Sequence, residues 1–146
     1  MIIYIDSSVL ARAYLHDEPG HVEAQALLAD PELALITGTW TRVEVSGALV
    51  RAARAGRAGE HQLLALLDAD LAGDGPVVVV SAPQDDVERL ALQLVRTHGV
   101  RAMDAWHLAT ASLAFPGLAE PGEEIGFATR DGDQAKVAAH LGFVAL

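Results

Sequence analysis

Short apolar runs alternate along the chain with longer stretches in which apolar residues recur every three or four positions. The first run, residues 2–5, is continuously apolar and rich in β-branched residues, which is typical of a strand buried in a parallel sheet. Such runs predict strands at residues 2–5, 33–37, 77–80 and 125–129, with a shorter candidate fifth strand at residues 143–145. The longer stretches predict helices at residues 9–15, 21–29, 40–55, 60–71, 83–98, 103–114 and 134–141.

Strands therefore alternate with helices or pairs of helices along the sequence. This order predicts an α/β fold, a three-layer α/β/α sandwich around a mostly parallel sheet of four to five strands. Ser7 and Ser8 are predicted to cap the first helix and Ser81 the fifth, because serine accepts hydrogen bonds from the free N–H groups of a helix start. Gly56 and Gly99 are predicted to end helices.

The length and composition fit one domain spanning residues 1–146, since a chain of this size with 51% hydrophobic residues can bury a core without disulfides. The absence of cysteine excludes a disulfide scaffold and a thiolate metal site, and it suggests a reducing compartment. The apolar start is too short for a signal peptide, and no apolar run is long enough to cross a bilayer. We therefore expect a cytoplasmic protein that does not associate with membranes.

The formal net charge of −10 excludes a uniformly basic surface of the kind that binds nucleic acid without selectivity. Carboxylates gathered around divalent cations would add to the acidic count, and the cations would neutralise them. An acidic surface also suits a basic segment of a partner protein. The charge is thus compatible with a metal-dependent enzyme or with a protein that binds a basic partner.

Three acids follow predicted strands, at the edge where parallel sheets bind ligands. Asp6 directly follows the first strand, Glu44 lies early in the helix after the second, and Asp131 follows the fourth. Topology alone predicts that these three converge. Asp104 begins a helix among apolar residues, where a charge needs a partner or a metal. Its helix follows another helix, so strand topology does not place it.

Each acid alone has a more ordinary explanation. Asp6 is typical of a helix cap, Glu44 of a solvated helix surface, and Asp131 of a turn, while Asp104 would complement a helix dipole. The four together favour a shared site. Mg²⁺ and Mn²⁺ prefer hard oxygen ligands, and such ions can activate water for phosphodiester hydrolysis.

Four segments in order contain these acids and form a set of motifs. They are MIIYIDSSVL at residues 1–10, TRVEV at 41–45, GVRAMDAWHLATA at 99–111, and ATRD at 128–131 followed by Gln134. The set resembles the motifs of PIN domains, and in particular those of VapC-type toxins of type II toxin–antitoxin systems. The third segment, with its Asp-Ala-x-His-Leu-Ala form, is the most specific. The resemblance extends over nearly the whole chain.

The resemblance implies a Mg²⁺- or Mn²⁺-dependent endoribonuclease that acts on RNA, has a cognate VapB-type antitoxin and forms a homodimer. It gives metal-binding and catalytic roles to four carboxylates, those of Asp6, Glu44, Asp104 and Asp131. Asp133 is an alternative to Asp131, because the last acid of these motifs varies in position. Ser7 and Thr129 match positions that orient water or a metal ligand.

Several further residues have competing interpretations. His107 shares a helix face with Asp104, and a hydrogen-bonding role beneath the site is favoured over metal binding. Trp40 and Trp106 could stack on bases, but their apolar surroundings favour packing in the core. Three arginines could form a basic stripe that contacts phosphates or the antitoxin, or simply a solvated helix face: Arg51, Arg54 and Arg57.

Two other classes of function compete with the nuclease. Haloacid-dehalogenase-like phosphatases need an Asp where Ser8 stands, and response-regulator receivers need a Lys after the last strand, whereas the only lysine, Lys136, lies in a predicted helix. Both classes fail on these residues. A non-catalytic PIN-fold module that only binds a partner remains the alternative, although the presence of all four acids argues against it.

Overall fold

A fully parallel five-stranded sheet forms the centre of the protein, seen in a computed structural model that describes residues 1–146. The strands are β1 Ile2–Ile5, β2 Ala34–Gly38, β3 Val77–Val80, β4 Ile125–Ala128 and β5 Val144–Ala145. Their order across the sheet is β3-β2-β1-β4-β5, and all four pairings are parallel. The prediction of a parallel sheet with a fifth short strand is confirmed.

Seven helices connect the strands. They are α1 Ser7–Tyr14, α2 His21–Ala29, α3 Thr41–Arg54, α4 Glu60–Asp70, α5 Gln84–His98, α6 Ala102–Ala114 and α7 Gly132–His140, and a single 3₁₀ turn, Phe115–Gly117, follows α6. All seven were predicted, with ends that differ by no more than two residues. None of them combines the length and the apolar character that a membrane span requires.

The two faces of the sheet are both covered, because side chains of a strand point alternately to opposite sides. Ile3 and Ile5 of β1 pack into one core with α1, α3 and α4. Ile2 and Tyr4 of the same strand pack into a second core with α5, α6 and α7. This arrangement confirms the three-layer sandwich and explains why β1 is continuously apolar, since it is buried on both faces.

The direction of the chain across the sheet fixes where a site can form. From β1 the chain moves outward to β2 and β3, and it then crosses to the other side of β1 to form β4 and β5. The carboxyl ends of β1 and β4 therefore lie side by side at the point where strand order reverses, and ligands of open parallel sheets bind in the crevice at such a point.

Two predicted helix caps are wrong. Asp6, not Ser7 or Ser8, caps α1, because its carboxylate is the acceptor that reaches the N–H of Val9. Ser81 does not cap α5, since the carbonyl of Pro83 accepts the first helical hydrogen bonds and Ser81 lies two residues too early. The predicted helix ends are confirmed, because Gly56 and Gly99 both adopt positive φ angles, 77° and 70°.

Candidate active site

The four predicted acids all lie at helix starts on the carboxyl edge of the sheet. Asp6 and Asp131 cap α1 and α7, whereas Glu44 and Asp104 lie in the first turns of α3 and α6. The positive end of a helix dipole stabilises a carboxylate at each of these positions. The helix-cap explanation is thus correct for Asp6, whereas Asp131, which alone was typical of a turn, caps α7 instead, and neither role conflicts with a shared site.

Asp6 ties the ends of β1 and β4 together. Its Oδ1 accepts hydrogen bonds from Ser8 Oγ at 2.7 Å and from the Val9 N–H at 3.0 Å. Its Oδ2 accepts a hydrogen bond from Thr129 Oγ1 at 2.7 Å. The side chain is buried, and a buried carboxylate needs such donors to remain charged. Thr129 follows β4, so this contact fixes the spacing of the two strand ends.

Gln134 places Asp104 at the same edge, which topology could not do. Its amide side chain is fully buried, with Oε1 2.5 Å from Thr129 Oγ1 and Nε2 donating to the backbone carbonyl of Asp104 at 3.2 Å. The start of α7 is thereby joined to the start of α6. The signal in the sequence is a single uncharged polar residue on the apolar face of α7, where Val137 and Ala138 are also buried.

Asp131 is held by backbone donors. Its Oδ1 accepts hydrogen bonds from the N–H groups of Asp133 at 2.9 Å and Gln134 at 3.0 Å, and these bonds hold the pKa of Asp131 below its usual range. The competing acid, Asp133, is exposed and forms an ion pair with Lys136 at 3.0 Å. Both carboxylates line the same recess, but only Asp131 is fixed by the fold.

Glu44 belongs to a hydrogen-bonded chain that runs into the core. Its Oε1 accepts from Ser7 Oγ at 2.7 Å and from His107 Nε2 at 2.6 Å, and Nδ1 of His107 lies 2.8 Å from the Tyr4 hydroxyl. Burial holds the pKa of Tyr4 far above its ordinary value, so its hydroxyl stays protonated and can donate to Nδ1. Nε2 of His107 lies against the Glu44 carboxylate and donates a hydrogen bond to it. The predicted structural role of His107 is confirmed.

The hydrogen bonds of this chain also set the charge of Glu44. Burial disfavours its ionised form, but the bonds from His107 and Ser7 outweigh burial, and the pKa of Glu44 is lowered. Glu44 is therefore a fully ionised carboxylate whose second oxygen accepts no hydrogen bond from the protein.

Asp104 is in the opposite situation. Its carboxylate is partly buried and accepts no hydrogen bond from the protein, and burial together with the charges of Asp131 and Asp6 raises its pKa. Asp6 and Asp131 therefore lie near enough to Asp104 for their charges to act on it. Glu44 lies on the other side of Asp6, linked to it through the adjacent Ser7.

Asp104 and Asp131 line a recess of about 400 Å³ whose rim carries cationic groups. Arg101 and Lys136 both border it, and the charge of Arg101 acts on both acids. Carboxylates and cations thus alternate around a space that is large enough for a phosphate group. Arginine and lysine side chains at such a rim can contact a phosphate without occupying the carboxylates.

The carboxylate oxygens at this edge are the type of ligand that Mg²⁺ and Mn²⁺ prefer, but they do not form a complete coordination shell. No three histidine, aspartate or glutamate side chains approach closely enough to form a metal-binding group as they stand. Free carboxylate oxygens are nevertheless present on Asp104, Asp131 and Glu44, and hard divalent cations prefer such oxygens. Burial, and after it the charges of Asp131 and Asp6, raise the pKa of Asp104, and a bound cation would offset both effects.

Two interpretations of other residues need correction. Trp40 is 50% exposed, so the prediction that it packs in the core is wrong, whereas Trp106 is partly buried against the second core. The reason is that Trp40 is the N-cap residue of α3 and borders an open recess, so half of its surface stays in contact with solvent. Arg57 does not extend a basic stripe, because Asp17 and Glu18 bind its guanidinium at 2.7 and 2.8 Å.

Known proteins resemble this one over nearly the whole length of the chain. Residues 3–140 match the family model of the PIN domain. No curated protein is similar enough in sequence to count as a match. Among solved structures, VapC20 of Mycobacterium tuberculosis, described as a sarcin–ricin-loop-cleaving toxin, superposes with a TM-score of 0.65 at 23% identity, over 97% of this chain and 96% of the other.

Two further structures share the fold at lower identity. PAE2754 of Pyrobaculum aerophilum has a TM-score of 0.61 at 18% identity, covering 99% of this chain and 83% of the other. VapBC2 of Rickettsia felis, solved with a DNA fragment from its promoter, has a TM-score of 0.60 at 12% identity, covering 100% and 98%. At these identities the likeness establishes the fold.

Proposed function

Since the chain belongs to the PIN domain family, we propose that it is a Mg²⁺- or Mn²⁺-dependent endoribonuclease, a single PIN domain over residues 1–146 that acts as the toxin of a toxin–antitoxin pair. The observation that carries the proposal is the state of Asp104. Its carboxylate is unbonded, has a raised pKa and faces Asp6 and Asp131 at the crevice between β1 and β4. Burial and the two neighbouring negative charges disfavour its ionised form, and a bound cation would favour it.

Asp6, Glu44, Asp104 and Asp131 are the side chains that would hold the cation. A bound divalent cation supplies Lewis acidity and lowers the pKa of a bound water. The remaining chemistry comes from the protein. Arg101 and Lys136 orient the phosphate at the recess, and the hydrogen bonds from His107 and Ser7 keep Glu44 ionised. Hydrolysis would leave a 5′-phosphate and a 3′-hydroxyl, as the resemblance implies.

The acidic surface shapes this proposal. With a net charge of −10, the protein repels RNA at long range, so binding depends on the cation and on local groups such as Arg101. A basic antitoxin segment would experience the opposite effect. We infer that a VapB-type antitoxin silences the enzyme by placing an arginine or lysine among the carboxylates, and that the toxin is a homodimer in the cytoplasm. Solved VapBC complexes with this fold support the pairing.

The alternative function is a non-catalytic module that binds a partner through the same edge. A module of that kind gains nothing from a partly buried Asp104 carboxylate that accepts no hydrogen bond and lies near two other acids. All four acids are present, and their arrangement costs stability that a binding surface could avoid. We therefore favour the nuclease.

The decisive experiment is cleavage of structured RNA by purified, antitoxin-free protein with Mg²⁺, with Mn²⁺ and with EDTA, beside Asp6→Asn. Asparagine preserves the cap of α1, so this variant loses the charge and keeps the fold. Asp30→Asn is the matched control, since Asp30 is exposed, accepts a local hydrogen bond from the Glu32 N–H, and precedes β2 at the opposite edge.

Cleavage that requires metal, survives in Asp30→Asn and vanishes in Asp6→Asn would support the proposal. Absence of cleavage across a broad RNA panel, together with normal growth on expression, would overturn it in favour of the binding module. Cleavage that persists in Asp6→Asn would show that another site or a contaminant is responsible.

A further inference from the structure

A second recess, of about 480 Å³, flanks the acids on the β2 side of the sheet and is built differently from the cationic one. We call it the indole recess, and its defining residues are Thr39, Trp40, Ser81, Met103, Trp106 and Thr110. No arginine or lysine lines it, and Glu88 is its only charged residue. Its chemistry therefore disfavours a phosphate and favours a flat, mostly apolar group with polar edges.

Both tryptophans of the chain border this recess. Trp40 leaves half of its surface exposed, which is unusual for so large an apolar side chain and is typical of a binding surface. Trp106 is fixed in place, because its ring lies edge-to-face with His107 at 5.3 Å and closes over Gly38, where an added Cβ would lie 2.7 Å from the indole. One indole is rigid and the other is open to solvent.

Thr110 gives the recess an unsatisfied polar group. It is 2% exposed, and its Oγ1 is the one buried side-chain polar atom of the protein without a hydrogen-bond partner. Buried polar groups are nearly always bonded, and Thr110 lines the recess, so a polar group that entered beside it would supply the missing partner. An aliphatic side chain of a partner protein would leave this hydroxyl unpaired, whereas the edge of a nucleobase would not.

The indole recess adjoins the acids through the backbone. The carbonyl of Trp40 accepts the N–H of Glu44 at 3.0 Å, and Met103 immediately precedes Asp104. Glu44 and Asp104 are thus directly connected to residues of the indole recess, and Asp104 also lines the cationic recess with Arg101 and Lys136. A nucleotide that placed its phosphate at the carboxylates could extend its base to one side.

We propose that the indole recess binds one unpaired nucleobase of the RNA substrate, stacked on Trp40 and Trp106, with the Thr110 hydroxyl available to its polar edge. The inference rests on the proposed nuclease function and adds to it a determinant of cleavage position. Stacking on aromatic side chains tolerates every base, so affinity comes from the indoles. Discrimination among bases comes from the hydroxyl, because a mismatched edge leaves it unpaired.

The test uses tryptophan fluorescence, since the only two tryptophans of the protein report on this recess. Five-nucleotide homopolymers of A, C, G and U are titrated into Asp6→Asn protein, which should bind without cutting. We expect saturable quenching that differs among the four bases. Trp40→Ala should weaken binding by roughly 5- to 100-fold, and Trp40→Phe should restore most of it. Val22→Ala, which changes an exposed side chain on α2, is the matched control.

Thr110→Val tests the hydroxyl separately, since valine has the same shape. It should fold at least as stably as the parent, because it removes an unsatisfied buried group, yet it should change the ranking of the four bases. In the otherwise unmodified enzyme, Trp40→Ala should raise KM and move the cleavage position, while kcat changes less.

Three outcomes would overturn the inference. One is equal binding and cleavage in Trp40→Ala, Thr110→Val and Val22→Ala while EDTA and Asp6→Asn still abolish cutting, which would leave the nuclease proposal intact. The second is loss of antitoxin binding alone in Trp40→Ala, which would make the recess a protein contact. The third is failure of the parent protein to cut any RNA, which would refute the nuclease proposal itself.

Discussion

Glu44 and Asp104 are both carboxylates in the first turn of a helix at the same edge of the sheet, yet the protein treats their charges in opposite ways. Glu44 accepts two hydrogen bonds, from Ser7 and His107, and its pKa is lowered. Asp104 accepts none, faces two other acids, and its pKa is raised. Position in a helix therefore does not decide the electrostatics of an acid; its tertiary neighbours do.

The opposite pKa shifts of Glu44 and Asp104 indicate that the two sides of the site have different roles. The first side, which we call the bonded half, consists of Glu44, His107 and Tyr4. Its hydrogen bonds contribute to stability and hold the Glu44 carboxylate in place. The Asp104 half is held in place only through its backbone, by Gln134, and keeps its carboxylate free. A free, destabilised charge is what a cation site requires, so stability and activity should respond differently to changes in the two halves.

The largest effect is expected from Asp104→Asn. It should reduce Mg²⁺-dependent RNA cleavage on the order of 100-fold or more, because a ligand carboxylate is lost. It should at the same time leave stability unchanged or slightly raised, since it removes repulsion with Asp131 and Asp6. Single-turnover cleavage and thermal unfolding in EDTA measure the two effects. Lower stability of the variant would mean that Asp104 is not the strained group.

The bonded half should instead lose stability first. His107→Ala removes the hydrogen bonds to Tyr4 and Glu44 and leaves a buried cavity, so we expect a loss of about 2–4 kcal/mol. Chemical denaturation of this variant and of His61→Ala, where the histidine is exposed, gives the comparison. Equal stability of the two variants would show that the chain beneath Glu44 is not structural.

Gly38→Ala tests the packing around Tyr4 and Trp106 by adding one methyl group to the backbone. A Cβ at this position would lie 2.7 Å from Trp106 and from the Tyr4 hydroxyl, so overpacking should destabilise the protein by about 1–3 kcal/mol. Gly117→Ala, where an added Cβ meets nothing within 4 Å, is the control. If both variants unfold at the same denaturant concentration, the packing around Tyr4 is looser than the structure indicates.

The pH dependence of stability should have opposite signs for the two acids. The raised pKa of Asp104 makes its contribution unfavourable above its ordinary pKa of 3.8, so the advantage of Asp104→Asn should appear as pH rises from about 4 to 7. The lowered pKa of Glu44 is favourable, and this contribution is complete above its ordinary value of 4.5 and is lost as pH falls below it, so the stability deficit of Glu44→Gln should be constant at neutral pH and shrink in acid.

Melting temperatures in EDTA measure this contrast, and the Asp104 effect should be about 1–3 °C. Saturating Mg²⁺ should raise the melting temperature of the parent and abolish the advantage of Asp104→Asn, because the cation relieves the repulsion. The same pH response in both variants would remove the distinction between the halves.

The smallest effect is expected at Asp133. Its ion pair with Lys136 is exposed, so Asp133→Asn should change stability by no more than about 0.5 kcal/mol and should leave cleavage largely intact.

Asp131→Asn is the comparison for this variant. It keeps the cap of α7 and should lose cleavage without unfolding. Loss of activity in Asp133→Asn but not in Asp131→Asn would exchange the roles of these two acids.

Much of the fold followed from local patterns. The alternation of apolar runs with helical stretches predicted five strands and seven helices, because a strand buried on both faces has to be apolar throughout. Three acids could be placed at one edge from strand topology alone. The predictions were wrong at two kinds of position. Asp6 caps α1 in place of Ser7 or Ser8, and Trp40, expected in the core, is half exposed.

The sequence by itself determined the parallel sandwich and proposed the four candidate acids, three of them at one edge of the sheet, since these depend on periodicity, strand order and residue type. Only the tertiary structure decided how Asp104 reaches the edge, because Gln134 makes that contact from a helix 30 positions away. It also decided which acid is bonded and which is free. The pKa of a carboxylate depends on its burial and on the charges and hydrogen-bond donors around it. These groups come from distant parts of the chain, so a local sequence pattern does not predict their combined effect.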